Sequence, residues 1–463
     1  QLSMWKFGVG GWCSSAVWSF SLRKVIGARR GSPLVVGFAD GETYIGSDAL
    51  ALAPLTQQIS YLEEGDWVVV SRDGAAIYDA ENQPVEREVR SSGASAAAVE
   101  KGNYRHFMQK EIFEQPTVVA QTLGSYLRQS DNSVALPQFD FDLSQIRRVT
   151  IVACGTSFYA GMVAKYWFEQ FARVPVDIDV ASEFRYRGAA MPEGGLAVFV
   201  SQSGETADTL AALRYAKDQG QKILSVVNVP ESTIARESDA VLHTNAGPEI
   251  GVASTKAFTC QLAVLAALAL QAARQRGAVD AAAAQALTAQ LQQVPGQVTQ
   301  ALAIAPQVRT VSARLARYDD VLFLGRGALY PLALEGALKL KEISYIHAEG
   351  YASGELKHGP IALIDEEMPV VVLAPHDAMF DKTVSNMQEV MARGGKVCLI
   401  SDAAGLAQAG DGIWQGITLP AVDDRLAPLL YALPAQLLAY HAAVAKGTDV
   451  DQPRNLAKSV TVE

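Results

Sequence analysis

Cysteine is scarce in this sequence, and no two cysteines lie near one another. The 463 residues contain four of them, Cys13, Cys154, Cys260 and Cys398. Structural zinc sites and the disulfide frameworks of small secreted domains need cysteines in closely spaced pairs. We therefore expect neither a bound metal nor a disulfide framework, and the spacing favours a cytoplasmic location.

A surplus of positive charge and a long hydrophobic run are also missing. Lys and Arg number 39 against 49 Asp and Glu, which gives a net charge of −10 and a pI near 5.3. A chain of that charge repels a polyanion. The longest apolar run, residues 262–270, is much shorter than the ~18 residues of a membrane-spanning helix. The sequence thus predicts no nucleic-acid partner and no membrane partner.

The first 103 residues differ from the rest of the chain. Residues 1–23 hold Trp5, Trp12 and Trp18, half of the six tryptophans, without the pattern of a secretory signal. Short apolar runs alternating with Asp-Gly turns follow, which predicts a β-rich region. We place a connecting segment at residues 104–142 and expect Pro116 to break its helical pattern.

Beyond residue 143 the pattern changes to short Val/Ile/Leu runs separated by amphipathic helical segments, which is typical of parallel sheets covered on both faces. Three such runs, at residues 150–155, 196–200 and 222–227, recur in the same order 172 to 174 residues later. This repetition predicts two tandem doubly wound α/β domains, at residues 143–300 and 301–463. Two unrelated α/β domains are the alternative, since hydrophobic strands resemble one another.

Residues 201–206, Ser-Gln-Ser-Gly-Glu-Thr, lie directly between a predicted strand and a predicted helix. Such a loop presents backbone N–H groups and hydroxyls at the positive end of the helix dipole, where a phosphate monoester binds. Thr156 and Ser157 follow the first strand of the same unit and would lie at the same edge of the sheet. The alternative is an ordinary turn in which Ser203 merely caps the helix. Neither the Gly-x-Gly-x-x-Gly motif of dinucleotide-binding proteins nor the Gly-Lys-Ser loop of nucleotide-binding proteins occurs at this position.

The sequence resembles the sugar isomerase (SIS) region of the glutamine–fructose-6-phosphate aminotransferase family. The resemblance is carried by residues 153–157, 201–209 and 249–256 in the first unit, and by residues 337–345, 354–360 and 449–463 in the second. It implies two SIS domains preceded by a β-rich remnant of an N-terminal-nucleophile glutaminase domain. It also implies a set of residues that bind the sugar phosphate: Thr156, Ser157, Ser201, Gln202, Ser203, Thr206, Val252 and Ala457.

The resemblance further implies the chemistry. His358 would open the sugar ring, Lys458 would form a Schiff base with the ketone, and Glu342 would move a proton from C1 to C2. Lys339 lies one helical turn before Glu342 and can influence its ionisation. No cofactor is implied, the substrates would be fructose 6-phosphate and ammonia, and His358 would reach the site of the neighbouring subunit in a homodimer. Taken singly, each of these side chains would pass for an ordinary surface residue.

The sequence departs from the family at its beginning. The glutaminase nucleophile of the family is an amino-terminal cysteine, whereas residue 1 is Gln and Cys13 is followed by Ser-Ser instead of Gly-Ile. We therefore expect the glutaminase half-reaction to be absent and free ammonia to supply the nitrogen. Two alternatives stay open: a non-catalytic phosphosugar-binding module, and an enzyme that only isomerises the phosphohexose.

Overall fold

The computed structural model describes residues 16–19, 24–29, 34–46, 49–52, 55–71, 74–91 and 100–460, the first of these segments by its backbone only. Trp5, Trp12 and Cys13 lie outside the described residues. Within the described ones, the chain forms a small β-rich part, a connecting segment and two α/β units.

The predicted β-rich start is confirmed. Its strands form two antiparallel four-stranded sheets, in the orders β1-β2-β6-β7 and β4-β3-β5-β8. Their bounds are β1 Ala16–Ser19, β2 Lys24–Ala28, β3 Val35–Ala39, β4 Glu42–Gly46, β5 Gln58–Tyr61, β6 Trp67–Ser71, β7 Gly74–Tyr78 and β8 Arg90–Ser91, with the short helix α1 at Ala49–Leu52. Buried and half-buried side chains alternate along β6, as expected of a strand with one face on a core. Arg29 attaches this part to the first α/β unit by donating to Thr233 Oγ1 at 2.8 Å.

The expected break at Pro116 is wrong. Helix α2 runs from Phe107 to Gly124 with Pro116 inside it. Proline has no N–H to donate to the carbonyl of Ile112, four residues earlier. The buried side chain of Gln115 replaces that donor, with its Nε2 3.1 Å from Ile112 O. A neighbouring side chain thus removes the penalty that the sequence pattern led us to expect.

The first α/β unit is a five-stranded parallel sheet in the order β12-β11-β13-β14-β15. After the short hairpin β9 Leu127–Arg128 and β10 Ser133–Val134, its strands are β11 Arg148–Ala153, β12 Val176–Val180, β13 Gly195–Ser201, β14 Lys222–Val227 and β15 Ala240–His243. Its helices are α3 Gly155–Trp167, α4 Ala181–Phe184, α5 Ala207–Asp218, α6 Thr233–Glu237 and α7 Lys256–Gln275. All seven residues of β13 are buried, because helices cover both faces of the sheet.

The second unit repeats this topology with the order β17-β16-β18-β19-β20, again parallel. Its strands are β16 Asp320–Gly325, β17 His347–Ala352, β18 Pro369–Leu373, β19 Lys396–Ser401 and β20 Gln415–Thr418. Helices α8 Ala281–Leu302 and α9 Ala305–Leu315 precede it, and α10 Tyr330–Ser344, α11 Phe380–Met391, α12 Ala403–Ala409 and α13 Ala427–Lys446 belong to it. The prediction of two tandem doubly wound domains is confirmed.

Helix α7 is long and apolar enough to cross a membrane by length and composition alone. However, 94% of its apolar window is buried, where it packs against α2 and α3. A core helix passes the same test of length and composition.

Helix α10 of the second unit packs against α3 of the first, so the two units meet beside the carboxyl edge of the first sheet.

Gln115 provides a test of how α2 accommodates its proline. Its side chain also donates to Gln436 Oε1 at 2.7 Å and accepts from Thr259 Oγ1 at 2.5 Å. We expect Gln115→Ala to lower the unfolding free energy by about 2–4 kcal/mol, because it leaves buried polar groups without partners. Gln121→Ala on the exposed side of the same helix should change it by less than about 0.5 kcal/mol. Thermal denaturation of both variants measures the difference, and equal melting temperatures would contradict this account.

Candidate active site

The loop between β13 and α5 gathers hydroxyl groups at the start of a helix. Ser201 Oγ accepts from Gly204 N at 3.0 Å and lies 3.2 Å from Thr206 Oγ1. Ser203 Oγ accepts from Glu205 N at 3.2 Å. Gly204 has a φ of +66°, and a Cβ there would collide with the side chain of Ser232. The tight turn therefore requires glycine. It gathers three hydroxyl groups at the start of α5, and helix starts are common phosphate-binding positions.

The second hydroxyl-bearing loop follows the adjacent strand β11, which pairs in parallel with β13. Ser157 Oγ accepts from Gln261 Nε2 at 3.0 Å. Thr156 instead turns towards the second unit and donates to Glu335 Oε1 at 3.2 Å. Because parallel neighbours end at the same sheet edge, these two loops are adjacent. Through this hydrogen bond, Thr156 connects the edge of the first sheet to α10.

The carboxyl-terminal segment lies across the loop at residues 201–206, which we call the phosphate-type loop. Val460 O accepts from Ala207 N, the first N–H of α5, at 3.1 Å. The hydroxyls of Ser203 and Ser459 are hydrogen-bonded at 3.0 Å. The half-buried residues Ala457 and Lys458 immediately precede this contact, so residues 457–460 and the loop form one wall.

Lys458 forms an ion pair with a carboxylate far away in the sequence. Its Nζ donates to Glu249 Oε2 at 2.5 Å and to Gly251 O at 2.8 Å. Burial alone would raise the pKa of Glu249, but Lys458 and the backbone N–H groups of Ala257 and Thr255 outweigh burial and lower it. The carboxylate is therefore ionised and holds the Lys458 ammonium in place, with a quarter of the lysine side chain exposed.

Helix α10 carries a second charge cluster on one face. Lys339 is 1% exposed, and its Nζ lies 2.5 Å from Glu342 Oε2 and 3.8 Å from Glu335 Oε1. Burial alone would lower the pKa of Lys339, but Glu342, Glu335 and, at longer range, Glu249 raise it. Burial raises the pKa of Glu335 to about 8. Lys339 therefore stays protonated and Glu335 resists ionisation, and Glu342, with 21% of its side chain exposed, is the part open to a ligand.

The predicted residues are not all brought together within the one chain. The influence of Glu249 on Lys339 puts the Lys458 pair and the α10 cluster within electrostatic range of each other. His358 differs, because it lies exposed at the end of the 3₁₀ turn Ser353–His358. In the described part of the chain it has no hydrogen bond or ion pair. Gln202 is half-buried beside Ser201, and its carbonyl accepts from Asn228 N at 3.2 Å.

Two functional candidates, Glu249 and Glu335, escaped the sequence analysis. Glu335 lies four residues before Lys339 and seven before Glu342, so helical spacing alone could have placed it on their face. Nothing local could have paired Glu249 with Lys458, because 209 residues separate them. Among the described residues, no group of three or more His, Cys, Asp or Glu side chains is arranged to hold a metal ion.

The tandem parallel sheets, with a hydroxyl-lined loop at the edge of the first, define a class of protein. The SIS domain model matches residues 142–271 and 314–446. A solved structure, the C-terminal domain of glucosamine–fructose-6-phosphate aminotransferase from Francisella tularensis, is 46% identical with a TM-score of 0.73, and covers 76% of this chain and 100% of that one. Glucosamine-6-phosphate deaminase from Thermotoga maritima, 24% identical with a TM-score of 0.60, covers 76% of this chain and 99% of that one and shares the fold. The chain is thus a double-SIS protein.

Curated relatives narrow the class to a family. The glutamine–fructose-6-phosphate aminotransferase (isomerizing) of Zymomonas mobilis is 67% identical over 439 residues, which is 95% of this chain and 72% of the relative. That of Rhizobium meliloti is 58% identical over 440 residues, with the same two coverages. The chain belongs to the glutamine–fructose-6-phosphate aminotransferase (isomerizing) family of enzymes, as the sequence resemblance predicted.

The raised pKa of Glu335 makes a prediction about stability and pH. Because the folded state binds this proton more tightly than the unfolded state, where the pKa is near 4.5, stability should fall as pH rises from about 4.5 to about 8. Glu335→Gln stays neutral, so its melting temperature relative to the wild type should rise steadily between pH 5 and pH 8. The exposed Glu193→Gln serves as the control and should show no such trend. Parallel curves for Glu335→Gln and the wild type would contradict the assignment.

Proposed function

We propose that this chain converts fructose 6-phosphate and ammonia into glucosamine 6-phosphate, by amination coupled to ketose–aldose isomerisation. The observation that carries the proposal is the position of the carboxyl-terminal segment. Contacts of Ser459 with Ser203 and of Val460 with Ala207 dock the segment that carries Lys458 onto the phosphate-type loop. The names of the relatives, which are aminotransferases acting on fructose 6-phosphate, support the same conclusion.

The first step is capture of the phosphate group. Ser201, Ser203 and Thr206 supply hydroxyls, Gln202 supplies an amide, and the start of α5 supplies backbone N–H groups and a favourable dipole. Thr156 and Ser157 extend this wall from the neighbouring strand. Residues 143–300 thus bind the phosphate, and residues 301–463 provide the catalytic groups. Residues 104–142 connect these two units to the β-rich start.

The second step is chemistry at C2. Once the Lys458 ammonium has released a proton to water, its amine attacks the open ketone, and water leaves as the imine forms. Ammonia then adds to the imine carbon and the lysine amine leaves, which gives fructosimine and regenerates Lys458. Glu249 and Gly251 O hold the side chain in position for both additions. The backbone of Val252 and Ala457 lines the sugar.

The third step is proton transfer between C1 and C2. The imine makes the C1 proton acidic, so the Glu342 carboxylate can remove it and return it to C2, while the O1 hydroxyl proton moves to the nitrogen. The product is an aldose with an amino group at C2. Lys339 pairs with Glu342 at 2.5 Å and holds its carboxylate in place. His358 opens the sugar ring beforehand. Since it is exposed in a single chain, we assign it to the site of a neighbouring subunit in a homodimer.

Free ammonia is the nitrogen donor in this proposal. Three of the four thiols lie in the α/β units, and burial raises the pKa of Cys260 and Cys398 to about 12. Burial likewise raises the pKa of Cys154. The sequence around Cys13 lacks the Gly-Ile that follows the family's nucleophile. Among the described residues, therefore, no thiol is suited to glutamine hydrolysis. The wide spacing of the cysteines in the sequence favours a cytoplasmic location.

Product analysis tests the nitrogen donor. With fructose 6-phosphate and ammonium, we expect glucosamine 6-phosphate, and with fructose 6-phosphate and glutamine we expect none. Lys458→Arg keeps the charge that faces Glu249 but cannot form the imine, so it should make no product with either donor. Product from glutamine would contradict the ammonia assignment. Formation of glucose 6-phosphate without amino sugar would favour an isomerase, and binding without turnover would favour a non-catalytic module.

Two substitutions should separate proton transfer from substrate binding. Glu342→Gln removes the base and should reduce kcat by about 10²–10⁴-fold with little change in KM. Ser203→Ala removes a donor to a charged phosphate, worth about 1.5–3 kcal/mol, and should raise KM about 10–100-fold. Steady-state kinetics with ammonium measures both. An unchanged kcat in the first variant, or an unchanged KM in the second, would refute the corresponding role.

A further inference from the structure

Helix α2 of the connecting segment sends a carboxylate into the site. Glu111 is 2% exposed. Its Oε1 accepts from the backbone N–H groups of Ile250 at 2.5 Å and Gly251 at 3.1 Å. Its Oε2 is buried with no hydrogen-bond partner among the described residues. A buried carboxylate with one unpaired oxygen is unfavourable for stability, so simple packing does not account for it.

The peptide groups that Glu111 binds immediately precede the peptide group that contacts Lys458. Gly251 O accepts from Lys458 Nζ at 2.8 Å. Glu249, two residues earlier, forms the ion pair with Lys458. A Cβ at position 251 would lie 2.9 Å from Glu111 Oε2, so glycine is what lets the carboxylate approach. Glu111 thus holds the peptide immediately before the one whose carbonyl accepts from the amine, and so fixes one side of Gly251.

The loop at residues 249–252 is also held by the carboxyl-terminal tail, which contains Asp451 and Lys458. Val252 N donates to Asp451 O at 3.0 Å. The Asp451 carboxylate accepts from Phe107 N at 2.9 Å and Met108 N at 3.0 Å, and so caps the first turn of α2. Helix α2, loop 249–252 and the tail therefore hold one another in a closed set of hydrogen bonds, and Glu111 is one of its buried members.

Electrostatics connect Glu111 to the ion pair as well. Burial and the neighbouring Glu249 raise the pKa of Glu111, while Lys458 lowers it. Two carboxyl groups therefore share one ammonium. Glu249 is the ionised partner that contacts Lys458 directly, and Glu111 acts on Lys458 through the peptide between them.

We propose that Glu111 is a positioning residue of the amination site, which fixes the 250–252 backbone so that Gly251 O aims the Lys458 amine at C2 and Val252 contacts the sugar. The inference rests on the proposed function, because it assigns Lys458 the imine and Val252 the sugar. It makes the connecting segment a part of the active site, where the sequence analysis saw only a link between domains.

The test uses the full chain with the substitutions Glu111→Ala and Glu111→Gln, and Gln121→Ala on the same helix as the control. The imine between Lys458 and fructose 6-phosphate is trapped with borohydride without ammonia and quantified by intact mass. We expect Glu111→Ala to slow trapping at least tenfold and to raise KM for fructose 6-phosphate severalfold. Glu111→Gln should stay within about threefold of the wild type, because its amide oxygen accepts from the same N–H groups.

Binding of inorganic phosphate separates positioning from general damage, since the phosphate-type loop does not involve Glu111. Its affinity should be unchanged in both variants. If Glu111→Ala folds poorly, Glu111→Asp, which withdraws the carboxylate by one methylene, should show the same slow trapping. Wild-type trapping and KM in Glu111→Ala or Glu111→Asp would overturn the inference, as would equal impairment in Glu111→Gln. Absence of trapping and product in the wild-type chain would instead overturn the proposed function, and this inference with it.

Discussion

The candidate site depends on the ion pair between Lys458 and Glu249. A buried carboxylate such as Glu249 is strongly unfavourable unless a cation and hydrogen-bond donors compensate for its lost hydration. The ammonium of Lys458 and the start of α7 provide both. Because the cation comes from the last residues of the chain, satisfying this charge also docks the tail, and the docked tail forms one side of the phosphate-type loop.

A similar charge balance occurs twice. Lys458 pairs with Glu249 and acts electrostatically on Glu111, and Lys339 faces Glu342 and Glu335. In each set one carboxyl group is the ionised partner, and burial raises the pKa of the other. The interior tolerates a neutral ion pair far better than a surplus negative charge, which explains why the second carboxyl resists ionisation. The two lysines are thus held by geometry and charge before any ligand binds, as preorganised sites require.

Much of the architecture could be predicted because its signals are local or repeated. The strands of both units are buried on both faces, so they stand out as continuous Val/Ile/Leu runs, and their recurrence revealed the duplication. The phosphate-type loop at residues 201–206 could be predicted because a strand, a cluster of hydroxyl side chains and a helix start coincide there. Pro116 was misjudged because the compensating donor, Gln115, depends on the buried surroundings that Gln436 and Thr259 provide.

The sequence by itself determined the fold class, the duplication, the phosphate-type loop and the family, because each is written in short segments whose chemistry does not depend on distant parts of the chain. Only the tertiary structure decided which carboxylates face Lys458. Glu249 and Glu111 come to Lys458 from other elements, and Thr156 reaches Glu335 across 179 positions. Such pairings form where burial leaves a charge or a peptide group with a single available partner, and that condition exists only once the chain has folded.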